Sequence, residues 1–86
     1  MNIDLKLEVN GGYLGTFGSF TITNKEVNVS YSGNLYDYNQ IQFLSKSGGI
    51  VQWLSDFMQF ENHEAIYIAE QLNNWQHFIN TSNNKE

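Results

Sequence analysis

From Ile3 to Val9 the chain alternates without a break: Ile3, Leu5, Leu7 and Val9 form one set, Asp4, Lys6 and Glu8 the other. A period of two fits a half-buried strand and no helix. Asn10-Gly11-Gly12-Tyr13 follows, with residues that tolerate the positive φ of a tight hairpin. The next run alternates again, with Leu14, Thr16, Gly18, Phe20 and Ile22 in one set, before Asn24-Lys25 leads into Val27, Val29 and Tyr31. With Gly11-Gly12 and Asn24-Lys25 as the loops, Ile3 faces Phe20, Val9 faces Leu14, Ile22 faces Val27 and Phe20 faces Val29. Both pairings keep Phe20 on the apolar face, and a one-residue slip in either would separate the apolar sets. The expectation is a three-stranded antiparallel meander. Gly15 and Gly18 inside the second strand predict a bulge, or a point where a helix comes close.

The stretch Ser30-Tyr-Ser-Gly-Asn-Leu-Tyr-Asp-Tyr-Asn-Gln40 carries three tyrosines around a Gly-Asn turn signal. A turn at Gly33-Asn34 sets Tyr31 opposite Tyr36 and Val29 opposite Tyr38, which predicts a fourth strand with a bulge or loop near Asp37 to Gln40. After Ser45-Lys-Ser-Gly-Gly49, Ile50, Trp53, Leu54, Phe57 and Met58 recur at helical spacing, with Ser47 placed to cap the helix. Asn62 can cap a second helix, whose apolar stripe is Ala65, Ile68, Leu72, Trp75 and Ile79. The polar Thr81-Ser82-Asn83-Asn84 predicts fraying. The fold class is therefore α+β: an antiparallel β-meander of three to four strands, then a two-helix hairpin packed on one sheet face, in the order ββββαα. One domain spans 1–86, with the sheet over 1–44, the helical hairpin over 47–80 and a frayed tail over 81–86.

At 86 residues a single core just suffices without staples, and with no Cys neither a disulfide nor a thiolate metal site can help. Six Phe, five Tyr and two Trp are the means of filling that core. The start, Met1 to Asn10, has no basic segment followed by an apolar one, and no apolar run approaches the ~20 residues of a membrane span. A soluble cytoplasmic protein is the expectation.

Nine acidic residues face four lysines, there is no arginine, and the net charge is −5. Phosphate neutralisation and base-edge reading rely on Lys and Arg, so direct nucleic-acid binding is not expected, nor is binding to anionic membranes. A basic protein partner fits the charge, because complementary fields speed association and fix orientation. Solubility alone is the plainer explanation of the same charge.

Chemistry finds little support. His63, Glu70 and His77 share one helical stripe, but steps of seven residues climb about 10.5 Å, too far for ligands of one ion. No nucleophile elbow, cysteine nucleophile or arginine is present, and Lys46-Ser47-Gly48-Gly49 lacks the spacing of a phosphate loop. That segment reads as a cap and hinge. Neither an enzyme nor a cofactor is expected.

The remaining candidates are a surface. Asp56, Glu61, Glu64 and Glu70, helped by Asp37, can present carboxylates to a basic groove, with Tyr36 and Tyr38 as aromatic anchors. Helix capping and solubility are the competing use of those acids, since Glu64 in a first turn favours the helix dipole. Tyr13 and Phe17 fall on the sheet face away from the helices, among Asn, Ser and Thr, as protein-binding or sugar-binding surfaces often do.

Small size, acidity, twelve Asn, no Cys, no Pro and a sheet-plus-helices layout make the whole chain resemble phage-encoded anti-defence proteins, the anti-CRISPR inhibitors among them. The resemblance is one of style, and no motif carries site residues across. It implies a non-enzymatic inhibitor that occupies the basic nucleic-acid-binding groove of a host nuclease complex, in some cases by imitating DNA. Toxin-immunity proteins and antitoxins share the same traits. A small structural or ligand-binding module, homodimeric through a sheet edge or through the Tyr13/Phe17 face, is the third alternative.

Overall fold

The computed structural model describes residues 2–12, 15–44 and 49–83. Strands β1 (Ile3–Gly12), β2 (Gly15–Asn24) and β3 (Val29–Asn34) form one antiparallel sheet in the order β1-β2-β3. Helices α1 (Leu35–Leu44), α2 (Gly49–Met58) and α3 (Asn62–Asn83) follow. The α+β meander is thus present, and among the described residues it has three strands and three helices, against the expected three to four strands and two helices.

The central strand carries the core. Phe20 and Ile22 are buried on the inner face with Tyr38 and Ile41 of α1, Leu54 and Met58 of α2, and Ile68, Leu72 and Ile79 of α3. Phe20 is the hub: its ring meets Tyr31, Tyr38 and Trp75 at centroid distances of 5.8, 6.3 and 5.6 Å. Alternate residues build the outer face, where Thr21 and Ser32, and Thr23 and Ser30, share hydroxyl hydrogen bonds of 3.0 Å, and Ser19 donates to Glu8.

Both hairpins pair differently from the expected registers, yet the faces are unchanged. Leu7, not Ile3, stands opposite Phe20, and pairing runs on to Gly12↔Gly15. Ile22 stands opposite Tyr31, and Phe20 opposite Gly33. Each register moves by an even number of residues, and side chains alternate with period two, so the apolar sets still meet. In the second hairpin the cause is Asn24. Its side chain accepts from Glu26 N–H and donates to the Met58 carbonyl, which keeps Asn24 in the strand. Asn28, at φ 58°, supplies the left-handed residue instead. Val27 lies in that turn, exposed. Leu14, Tyr13 and the cap at Ser47 lie outside the described residues.

The expected fourth strand is a helix. Asn34 Oδ1 accepts from the Asp37 N–H at 3.0 Å while Asp37 Oδ2 accepts from the Asn34 N–H at 2.9 Å. This reciprocal capping box starts α1 where the alternation fails. Gly33 permits it, since a Cβ there would stand 2.8 Å from the Asp37 Cβ. Tyr38 and Ile41 are then buried three residues apart, as a helix requires.

Gly18 marks the close approach of a helix: a Cβ there would lie 2.3 Å from Ile79 Cδ1 and 2.8 Å from Trp75 Cζ2. At the start of α3, Glu64 Oε1 accepts from the Glu61 N–H at 3.0 Å, and Ala65 N–H bonds to the Glu61 carbonyl. The cap is thus Glu61, one residue before the expected Asn62. At the other end, α3 runs through Asn83, into the tail expected to fray over 81–86, of which residues 84–86 lie outside the described residues. Asn83 holds the helix end, accepting from the Thr16 N–H at 2.7 Å and donating to the Thr16 carbonyl at 3.1 Å.

Candidate partner-binding surface

The seven expected contact residues divide according to what else their side chains do. Tyr38 is wholly buried, and its hydroxyl donates to Asn73 Oδ1 at 2.6 Å. Burial pushes its pKa up to about 12. The unfolded chain ionises this tyrosine near pH 10, so its stabilising contribution is complete below that pH and lost as pH rises through about 12. A ring so placed belongs to the core, since helix α1 turns Tyr36 and Tyr38 to different sides. Glu64 is buried with its carboxylate bound to the Glu61 amide. Asp37 is half-buried in the α1 cap, and burial, then the negative charge of Asp37, hold the Tyr31 phenol above its ordinary pKa.

Four of the seven remain exposed: Tyr36, Asp56, Glu61 and Glu70. Tyr36, 68% exposed, borders a hollow of about 280 Å³ with Thr16, Phe17, Gly18, Asn34 and Leu35. Phe17 faces outward there from the strand face opposite the helices, as its place in the alternation requires.

Asp56 borders a second hollow, of about 480 Å³, with Gln52, Trp53 and Phe57 on one side of α2. The two hollows share no lining residue. Asp56 accepts from Gln52 Nε2 at 2.7 Å, one helical turn back, which holds the carboxylate beside the rings. A chain of aromatic contacts leads from the core to this point: Phe20 to Tyr31, Tyr31 to Trp53 at 5.0 Å, and Trp53 to Phe57 at 5.4 Å. Its last ring, Phe57, is 61% exposed. Glu61 lies just past the end of α2, and Glu70 stands about 13.5 Å further along α3 by helical rise.

Helical spacing places Trp53 and Phe57 on one broad apolar face with Ile50, Leu54 and Met58. Only Ile50, Leu54 and Met58, spaced by four, are buried. The signal in the sequence is crowding: six apolar residues within nine positions, Val51 among them, exceed what one helix side can cover, so Trp53 and Phe57 emerge at its flank. The hollow offers a carboxylate, an amide and two aromatic faces, which suits a cationic or amphipathic group. Among the described residues no three His, Asp or Glu side chains gather as a metal ion would need, and no helix is long and apolar enough to cross a membrane. No protein-family model, curated protein or solved structure matches the chain.

Proposed function

We propose that this chain is a non-enzymatic, protein-binding inhibitor, of the phage anti-defence kind that its composition resembles. Its partner is a basic protein with a nucleic-acid-binding groove, engaged through exposed carboxylates and aromatic rings. The observation that carries this reading is the α2 hollow, where Asp56 sits beside the exposed Phe57 and the half-buried Trp53. An anchor ring next to a fixed carboxylate is the pairing that a lysine or arginine of a partner can use twice, through charge and through the ring face. Glu61 and Glu70 extend the negative charge beyond it, and the net charge of −5 steers a basic partner toward the chain.

The test is affinity capture from a bacterial host lysate, with wild type and the Asp56→Lys/Phe57→Ala variant side by side. The reading requires a basic protein that wild type retains, that raised salt releases, and that the variant fails to hold. Identical capture by both, or a complex indifferent to salt, overturns it.

A further inference from the structure

The sheet has two edges, and they are finished differently. Lys25 N–H donates to the Asn2 carbonyl at 2.8 Å, so Asn2 and Lys25 are a directly bonded pair of the β1–β2 ladder. Antiparallel ladders alternate bonded and non-bonded pairs. Asp4, Lys6 and Glu8 therefore bond to β2, and the backbone groups of Ile3, Leu5, Leu7 and Val9 turn away from it. On the far edge the same alternation turns Ser30, Ser32 and Asn34 outward. That strand has six residues, and its Asn34 N–H is already taken by Asp37. Strand β1 has ten residues, no proline and an unbroken register from Ile3 to Gly12. Among the described residues no strand lies beside its outer edge. An edge of this length is ordinarily shortened, bulged, broken by proline or guarded by charge, and of these β1 carries only the charges of Asp4, Lys6 and Glu8.

We propose that β1 pairs antiparallel with β1 of a second copy, about a two-fold axis through Leu7, joining two three-stranded sheets into one. The charges choose both occupant and register. Along the outer face β1 reads Asp4, Lys6, Glu8, and an axis through any of these sets that charge against itself. An axis through Leu7 sets Lys6 opposite Glu8 of the second copy, twice, and Asp4 opposite Asn10. On the inner face Leu7 meets Leu7, and Leu5 meets Val9, the large apolar side chain that β1 leaves 40% exposed. An axis through Leu5 also satisfies Lys6, against Asp4, but its overlap is shorter and it leaves Val9 uncovered. The proposal uses neither hollow described above and stands apart from the inhibitor reading.

Sedimentation equilibrium over a wide concentration range tests it. Wild type is expected to dimerise. Glu8→Lys sets lysine against lysine, Lys6→Glu sets carboxylate against carboxylate, and each is expected to weaken the dimer roughly tenfold or more. Both side chains are exposed, and far-ultraviolet circular dichroism checks that each variant folds. An equal mixture of the two variants should dimerise again, because positions 6 and 8 then carry one sign on each strand. A monomeric wild type overturns the proposal, whether the edge stays bare or takes a strand of another protein. So does a dimer that Glu8→Lys leaves intact, which is what the Leu5 axis or another face would give. Two folded, monomeric variants that fail to restore the dimer on mixing overturn it equally.

Discussion

The two faces of the sheet are made from alternate residues of the same strands, and they do opposite work. Inward, Phe20 and Ile22 are sealed under the helices, and the four-ring cluster of Phe20, Tyr31, Tyr38 and Trp75 fills the space between sheet and helices. Outward, Ser and Thr hydroxyls bond across the strands in water. Inside, every displaced atom is felt, because packing is dense and neighbours cannot relax fully. Outside, water replaces what a substitution removes. The difference teaches where stability and adaptability are stored: one face cannot change cheaply, and the other can.

That contrast can be broken in four places. Phe20→Ala removes the hub of the cluster and is expected to cost about 3–5 kcal/mol, read as a large fall in the urea midpoint. Native domains hold only about 5–15 kcal/mol in total, so this variant should be near the limit of folding. Gly18→Ala adds a single methyl group where Trp75 and Ile79 already sit, and about 1–3 kcal/mol should be lost by the same measurement. Asn34→Ala tests an outer-face residue with a structural duty: losing the α1 cap should cost about 1 kcal/mol and reduce helical ellipticity. Thr21→Ala, which removes one hydroxyl pair of the outer face, should stay within about 0.5 kcal/mol. A Thr21→Ala loss as large as that of Gly18→Ala would erase the distinction between the faces.

How far the sequence reveals this molecule depends on which interactions are local. The alternation around Phe20 is local, and because side-chain direction repeats every two residues, it assigns the faces correctly even with both registers displaced. Gly18 was legible as a close approach because only a glycine leaves such room in a strand. The start of α1 was also written locally, as Asn34-Leu-Tyr-Asp37, a capping pair three residues apart. It competed with a Gly-Asn turn signal in the same residues and with three tyrosines in alternation. The capped helix prevails, and from it Tyr38 is buried in the core with its hydroxyl donating to Asn73. The carboxylates show the limit more sharply. Asp37 and Glu64 differ from Asp56 and Glu70 in what lies beside them, and only the local pairs Asn34–Asp37 and Glu61–Glu64 hint at that in the sequence. Periodicity places Phe57 on the apolar side of α2 but does not measure how much of that side neighbours can cover.

The bonds from Asn83 to Thr16 and from Trp75 to Glu8 each join residues 67 apart in the chain. Synthesis proceeds from the N-terminus, so the strands emerge well before the helix that shields them. Until α3 arrives, Phe20 and Ile22 have only the partial cover of α1 and α2 and lack Ile68, Leu72, Trp75 and Ile79, and hairpins alone are marginal in water. Closure therefore waits on contacts of long sequence separation, which slows folding and prolongs the exposure of sticky surface. For this chain the vulnerable interval falls at birth, when the sheet exists without its lid, and a cell making it in quantity meets that interval with every copy.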